Sequence, residues 1–148
     1  MEIQKVKLQM VKEMSALYTQ EKITRPTDIV KLINSYEEYN LSPMEKIIVI
    51  GLNTKNQVNI YTEIATGAVG CAYFKISDIL KPLLLSNSSK FILVHNHPSG
   101  DATPSKEDKE VTAKAKTCAV LMGLTLLDHI VIGDNSYVSI LNDIKEVK

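Results

Sequence analysis

Neither sign of charge is in excess in this sequence, because 17 lysine and arginine residues balance 17 aspartate and glutamate residues. Without a global positive field the protein would not be drawn non-specifically to nucleic acid or to an acidic membrane, so DNA binding would require a local basic patch. Long hydrophobic runs are also missing, since no stretch approaches the roughly 20 apolar residues of a membrane span. The first residues lack the apolar segment of a signal peptide. We therefore expect a cytoplasmic protein that does not cross a membrane.

Cysteine is equally scarce. The two cysteines, Cys71 and Cys118, lie far apart and outside any C-x-x-C motif, which indicates a reducing compartment and two small core residues rather than a disulfide scaffold. With 148 residues, 45% of them hydrophobic, the chain is long enough for one well-filled core and too short for two ordinary domains. We expect one globular unit, with a domain over residues 26–148 and an N-terminal strand or extension over residues 1–25.

The order of apolar patterns predicts a mixed sheet with helices on its faces, an α/β or α+β layer fold. Two runs, 46–52 and 90–94, are apolar on both faces and are typical of central strands. Turn residues over 53–56 predict that the first run forms a hairpin with the segment around 58–62. The other predicted elements are a strand over 6–10 or a helix reaching Leu17, a helix over 27–38, a strand after Gly67, a helix over 76–84, a helix over 106–122, and a hairpin of 126–132 with 136–140 before a charged tail.

Residues 95–108, HNHPSGDATPSKED, join the second buried strand to the long helix. His95 and His97 are two positions apart at a strand end, so in extended geometry their imidazoles point to one side while Asn96 points away. The prolines and the glycine that follow predict a bend that returns Asp108, in the first helical turn, toward the two histidines. Two histidines and an aspartate with an open fourth position are the ligands expected of a catalytic zinc, whose water ionises near neutral pH.

A hydrolytic zinc site also needs a carboxylate that takes and returns the proton of the water. Glu45 is one candidate, because it immediately precedes the buried strand 46–52, which we expect beside the strand that carries the histidines. Glu63, at the end of the predicted hairpin strand, is the competitor. The residues alone leave both open, with Glu45 slightly favoured.

The pattern formed by these residues resembles a known signature. His95, His97, Ser105 and Asp108 form the string H-x-H-x7-S-x2-D, with a glutamate upstream, which is similar to the motif of JAMM metalloproteases of the JAB/MPN superfamily. The longer match, which includes LDHIVIG at residues 127–133, resembles in particular the bacterial RadC family, historically called DNA repair proteins. The resemblance extends over roughly residues 26 to 140.

This resemblance implies a JAB/MPN-like mixed sheet flanked by helices, with a layering similar to that of cytidine deaminases. It implies one Zn²⁺ per chain held by His95, His97 and Asp108, with Glu45 as general acid and base. It further implies that Ser105 stabilises the oxyanion during cleavage of a peptide or isopeptide bond in a protein substrate. Longer RadC proteins usually carry a helix-hairpin-helix segment, which this chain is expected to lack, so direct DNA binding is not favoured. A DNA-repair accessory role and a non-catalytic zinc module are the alternatives.

Several of these residues have a plainer interpretation. Ser105 and Asp108 also form a capping-box pattern at the start of a helix, which is compatible with a ligand role for the aspartate. Asp101 is either a turn residue or a partner that orients a ligand histidine. His129 is predicted to be a hydrogen-bonded core residue rather than a fourth ligand, and Asp128 is a weak candidate for orienting a ligand. The lysines of the last helix indicate a solvated face more than a nucleic-acid patch; they are Lys106, Lys109, Lys114 and Lys116.

Overall fold

The computed structural model describes residues 22–36, 39–67, 74–142 and 144–147, with the isolated positions 7, 9 and 11. The helices in these ranges are α1 (Pro26–Tyr36), α2 (Ile76–Leu85) and α3 (Lys106–Leu121), with a short 3-10 helix at Tyr39–Leu41. The strands are β1 (Glu45–Leu52), β2 (Val58–Gly67), β3 (Lys90–Asn96), β4 (Thr125–Ile132), β5 (Ser136–Ser139) and β6 (Ile144–Val147). They form one mixed sheet in the order β2-β1-β3-β4-β5-β6.

The sheet lies between helices on both faces, because its central strands are apolar on both sides. On one face, Ile48 of β1 and Val94 of β3 pack with the buried side of α1. On the other face, Val49 and Leu93 pack with buried residues of α2 and α3. Alternate residues along each strand therefore face different helices.

One connection determines where the candidate ligands lie. β3 and β4 are parallel neighbours, and α3 is the crossover between them. Since a parallel crossover lays its helix over the sheet, the start of α3 comes to lie beside the carboxyl end of β3. On the other side of β3, β1 runs antiparallel with Ile47 opposite His95, so the beginning of β1 reaches the same end of the sheet.

Most of the predicted elements are present, and the mixed sheet with flanking helices is confirmed. One prediction was wrong: the C-terminal residues, predicted to be a charged tail, include β6, which pairs antiparallel with β5. The edge of β5 that does not pair with β4 offers backbone donors and acceptors to an extended segment that follows, whatever the charge of that segment. Apart from the isolated positions 7, 9 and 11, the predicted strand over 6–10, or helix reaching Leu17, lies outside the described residues, and so do residues 68–73, where a strand was predicted after Gly67.

Ile23, in the predicted N-terminal extension, is buried in the core, and its N–H donates to the carbonyl of Asn56 at 2.9 Å. Cys118 is half-buried on α3, whereas Cys71 falls outside the described ranges. No helix among the described residues has the length and apolar character needed to cross a bilayer.

Candidate metal centre

The two histidines and the aspartate predicted as ligands converge at the end of β3. The Nε2 atoms of His95 and His97 are 3.0 Å apart. Asp108 approaches them from the first turn of α3, with Oδ1 3.2 Å from Nε2 of His95 and Oδ2 3.4 Å from Nε2 of His97. One ligand atom from each residue lies within 4.8 Å of the others, so these three form a group that could hold a metal ion.

The bend after β3 is fixed by backbone hydrogen bonds. The N–H of His97 donates to the carbonyl of Ile132 at 2.8 Å, and the N–H of Gly100 returns to the carbonyl of His97 at 2.9 Å. Gly100 has a φ of +83°, in the left-handed region that glycine adopts without a steric cost. Its carbonyl then accepts from the N–H of Asp134 at 3.1 Å, so the bend is attached to the turn between β4 and β5.

The carboxylate of Asp108 is oriented by the capping box that the sequence predicted. The N–H of Ser105 donates to Oδ2 of Asp108 at 2.7 Å, and the N–H of Asp108 donates to Oγ of Ser105 at 3.0 Å. Capping and the approach to the histidines are therefore two functions of one side chain.

The far side of each imidazole is also hydrogen-bonded. Nδ1 of His97 lies 2.7 Å from the backbone carbonyl of Asp101, an acceptor only, so Nδ1 carries the proton and Nε2 of the neutral ring presents a lone pair toward Asp108. The side chain of Asp101 accepts from the N–H of Thr103 at 2.9 Å. The carboxylate of Asp101 thus makes the turn contact that one interpretation predicted, and its backbone carbonyl, not its side chain, contacts His97.

His129 lies beside His95 and is not one of the three converging residues. Its Nε2 is 2.8 Å from Nδ1 of His95, and its Nδ1 is 2.7 Å from Oγ1 of Thr112. Thr112 in turn donates to the backbone carbonyl of Asp108 at 2.6 Å. The placement agrees with a hydrogen-bonded core histidine. The sequence reasoning missed Thr112, although its position four residues after Asp108 places both on one face of α3.

The electrostatics of the group favour a cation. Burial alone would raise the pKa of the Asp108 carboxyl, but its interactions with the rings of His95 and His97 outweigh burial and hold that pKa well below its usual range. The same carboxylate raises the pKa of His97, while burial lowers the pKa of His129. An ionised carboxylate and two imidazole nitrogens that point at one another are the nitrogen and oxygen donors that suit zinc and similar divalent ions.

A cavity of about 350 Å³ opens beside this group and is lined by both Glu45 and Ser105. Extending the β1–β3 register by two residues from the pair Ile47 and His95 brings Glu45 across from His97, on the same face of the sheet. Glu63 is opposite Ile48 and therefore on the other face. Among the two carboxylates proposed as proton carriers, only Glu45 borders the cavity.

Glu63 has a different environment. One of its carboxylate oxygens lies 3.3 Å from Nζ of Lys46, and the other accepts a hydrogen bond from the hydroxyl of Thr66. Lys46 neighbours Glu45 in β1 and its side chain points to the opposite face. Geometry thus separates two glutamates that the sequence alone could not distinguish.

Asn96, between the two candidate ligand histidines, is fully buried and points away from them. Its side-chain oxygen accepts from the N–H of Lys46 at 2.8 Å, and its amide nitrogen donates to the carbonyl of Met44 at 3.1 Å. These two bonds fix the backbone on both sides of Glu45. The sequence reasoning noted the direction of Asn96 but not its partner.

Asp128 and the lysines of α3 lie apart from the candidate ligands. Asp128 accepts from Ser139 Oγ at 2.6 Å and from the N–H groups of His129 and Leu141 at 2.8 and 3.2 Å, so it ties β4 to the end of β5. Lys106 lies 3.8 Å from Glu110 one turn further along the helix. Binding of nucleic acid by this face stays a prediction that was not favoured.

Comparison with known proteins agrees with the geometry. The chain is 38% identical to the UPF0758 protein CPE2144 of Clostridium perfringens (strain 13 / Type A) over 122 residues, covering 82% of this chain and 53% of the relative. It is 44% identical to a UPF0758 protein of Clostridium botulinum (strain Alaska E43 / Type E3) over 119 residues, covering 80% of this chain and 51% of the relative. The chain thus spans about half the length of the curated relatives it matches.

Residues 23–146 match the family model described as "RadC-like JAB domain". This range begins at the buried Ile23 and includes every element from α1 to β5. The match contains the bend after β3, the group of His95, His97 and Asp108, and Glu45. Sequence, fold and site geometry agree, and the chain belongs to the family of RadC-like JAB domains.

Proposed function

We propose that this domain is a zinc-dependent hydrolase of the JAMM type that cleaves a peptide or isopeptide bond. The observation that carries the proposal is the convergence of His95, His97 and Asp108 on the wall of a cavity that Glu45 also borders. A metal held only for structural reasons is normally enclosed by four protein ligands. Here the three ligands face a cavity that has room for a substrate group.

The metal would be held by the Nε2 atoms of the two histidines and by the carboxylate of Asp108. When bound, such an ion supplies Lewis acidity, which makes water a nucleophile near neutral pH and polarises a carbonyl. The protein contributes the fixed orientation of these ligands through the carbonyl of Asp101 and the capping box of Ser105.

Glu45 would move the proton. A general base takes a proton from water as the water attacks and later gives it to the departing amine, so it must lie beside both groups. Its position on β1, across from His97 and held by Asn96, suits this role. Ser105 lines the same cavity, where its hydroxyl would donate to a negative charge that develops on the substrate carbonyl oxygen.

The test combines metal content with hydrolysis of a panel of internally quenched peptides and isopeptide-linked peptides. Purified wild-type protein should carry about one zinc per chain, as a set of two histidines and one carboxylate predicts. Glu45→Gln should retain the zinc and lose hydrolysis by about 10²- to 10⁴-fold, the usual contribution of general acid–base catalysis. His97→Ala should lose the metal.

Glu63→Gln is the matched control, because it removes a carboxylate from the neighbouring strand on the other face of the sheet. It should keep both zinc and turnover. Normal turnover in Glu45→Gln would exclude Glu45 as the proton carrier. Zinc binding without hydrolysis of any substrate in the panel would favour the alternative of a non-catalytic metal-binding module.

A further inference from the structure

We infer that Thr112 and His129 are positioning residues of the metal centre, which hold His95 in the tautomer whose unprotonated Nε2 faces His97 and Asp108. Neither residue belongs to the converging group of ligands. Their contacts connect the first ligand to the helix that carries the third. The inference rests on the metal-binding part of the proposed function and is independent of which bond the enzyme cleaves.

The direction of the first hydrogen bond follows from the chemistry of Thr112. Its Oγ1 lies 2.6 Å from the backbone carbonyl oxygen of Asp108, which can only accept. A hydroxyl has one proton, so the proton of Thr112 is committed to that carbonyl. The oxygen of Thr112 must then act as the acceptor toward Nδ1 of His129, 2.7 Å away.

The second direction follows from the first. Nδ1 of His129 carries a proton, because it donates to Thr112. His129 is 3% exposed, and burial disfavours the charged imidazolium, so its other nitrogen, Nε2, has a lone pair. That lone pair accepts from Nδ1 of His95 at 2.8 Å. His95 thus carries its proton on Nδ1, and its Nε2 is left to bind a metal.

These hydrogen bonds, from Thr112 through His129 to His95, are called the relay below, and they form part of a closed loop of contacts. It starts at the backbone of Asp108, passes through Thr112 and His129, and ends at His95, whose Nε2 lies 3.2 Å from the carboxylate of the same Asp108. His95 and Thr112 are 1% and 2% exposed, so water does not compete for these hydrogen bonds. A ligand imidazole whose other nitrogen is held in this way has a fixed ring orientation and a more basic ligand atom.

Zinc affinity of Thr112 variants tests the relay. Thr112→Val keeps the shape of the side chain and removes the hydroxyl, and we expect zinc to bind about 10- to 100-fold more weakly in competition with a chromophoric chelator. Thr112→Ser restores the hydroxyl and should restore the affinity. The matched control is Thr117→Val, because the hydroxyl of Thr117 makes the same bond, to the carbonyl of Ala113 at 3.0 Å, on the exposed side of the same helix. Its zinc affinity should equal that of the wild type.

The tautomers themselves can be read by long-range ¹H–¹⁵N correlation spectra of the zinc-loaded wild type, which requires no variant to fold. We expect a protonated Nδ1 and an unprotonated Nε2 on His129, and a protonated Nδ1 on His95. A protonated Nε2 on His129 would overturn the inference. So would wild-type affinity in a folded Thr112→Val protein, or an equal loss in Thr117→Val.

Failure of the relay and failure of the proposed function are distinguishable. If the wild type binds no zinc, both the metal site and the relay are excluded. If it binds zinc with the expected tautomers but hydrolyses nothing, the relay stands and the hydrolase proposal falls. If it hydrolyses substrate and Thr112→Val binds zinc as tightly as wild type, only the relay is excluded.

Discussion

The side-chain oxygen of Asn96 accepts a hydrogen bond from the backbone N–H of Lys46, 50 positions earlier in the chain, at 2.8 Å. Its amide nitrogen donates at 3.1 Å to the carbonyl of Met44, so the two bonds enclose Glu45. Asn96 itself stands between His95 and His97 in sequence. The end of β3, where the two candidate ligand histidines lie, therefore also fixes the backbone that presents the proposed proton carrier.

Asn96→Asp tests this link with a side chain of nearly the same shape. The substitution removes the amide donor and places an acceptor against the carbonyl of Met44, in a fully buried position. We expect the free energy of unfolding in urea to fall by about 1–3 kcal/mol, the usual cost of an unsatisfied buried polar group. Hydrolysis should fall further than zinc content does, because Asn96 faces away from the ligands.

The control for Asn96→Asp is Asn59→Asp, the same change at an exposed position of the edge strand β2, where the amide donates only a long hydrogen bond of 3.5 Å to Oγ of Ser88. It should leave the free energy of unfolding within about 0.5 kcal/mol of wild type, as is usual for surface substitutions. Equal effects of the two substitutions on zinc-dependent hydrolysis would contradict a positioning role for Asn96.

Zinc binding should strengthen as the pH rises. The hydrogen bond that the protonated ring of His97 donates to the Asp108 carboxylate raises the pKa of His97 above its ordinary value of 6.5, although burial acts in the opposite direction. Below that raised pKa, the proton on Nε2 of His97 occupies the lone pair that zinc needs. The apparent affinity should therefore fall by about tenfold per pH unit for each histidine that must lose a proton. Chelator competition at several pH values measures the slope, and a flat profile below pH 6.5 would contradict it.

In the metal-free protein, the interaction between His97 and Asp108 should stabilise the fold only within a window of pH. The raised pKa of His97 gives stability that is complete below 6.5 and is lost as the pH rises through the raised value. The lowered pKa of Asp108 gives stability that is present above its unfolded value of 3.8 and is lost as the pH falls toward its folded value. Thermal unfolding of metal-free wild type and Asp108→Asn should therefore differ most between about pH 4 and pH 6.5.

Asp78→Asn is the matched control for Asp108→Asn. Asp78 has the same place in the capping box of α2, where it accepts from the N–H of Lys75 at 2.9 Å, and its nearby cation is Lys81 rather than a histidine. Asp78→Asn should lower the unfolding temperature. The difference in unfolding temperature between this variant and the wild type should not change around pH 6.5, the ordinary pKa of histidine. A histidine-like step in Asp78→Asn would show that the pH dependence arises elsewhere.

Gly133→Ala should disturb the bend that carries His97. A Cβ at position 133 would overlap the carbonyl oxygen of Gly100 and lie 2.9 Å from the backbone nitrogen of Ala102. Since backbone cannot give way as a flexible side chain does, we expect a loss of about 1–3 kcal/mol in the free energy of unfolding, as for overpacking. Zinc should bind more weakly as well. Both quantities can be measured on one preparation, by urea unfolding and by chelator competition.

The control for this substitution is Gly123→Ala at the end of α3. Gly123 has a φ of +72°, but a Cβ there would meet no atom within 4 Å. The strain of a left-handed alanine should cost about 1–2 kcal/mol without any effect on zinc. Weaker zinc binding in Gly123→Ala would show that general destabilisation, and not the position of the bend, lowers the affinity.

The sequence could predict the candidate ligands because their geometry is local. His95 and His97 share a side by strand alternation, and the bend to Asp108 follows from prolines and glycine within one short segment. The choice between Glu45 and Glu63 could not be made in the same way. It depends on which residues of β1 pair with those of β3. It also depends on the irregularity in the β1–β2 register between Ile47 and Ile48, which places Glu63 on the opposite face of the sheet from Glu45.

Longer-range contacts were missed for a related reason. The partners of Asn96 and of His129 lie 50 to 54 and 17 to 34 positions away in the chain, and a single sequence carries no periodicity that pairs such residues. β6 was missed because its charged residues suggested a tail, while the edge of β5 that it pairs with is a property of the assembled sheet.

Ser105 allows capping and catalysis to be separated by three substitutions. Ser105→Ala removes the oxygen that accepts from the N–H of Asp108, so unfolding free energy should fall by about 1 kcal/mol, the usual cost of losing an N-cap. Ser105→Asp keeps a capping oxygen but has no hydroxyl proton at neutral pH, whereas Ser105→Thr keeps both. If Ser105 assists hydrolysis by donating that proton, Ala and Asp should lose turnover alike and Thr should retain it. Turnover that follows stability across the series, with Asp equal to Thr, would reduce Ser105 to a helix cap whose importance lies in orienting Asp108.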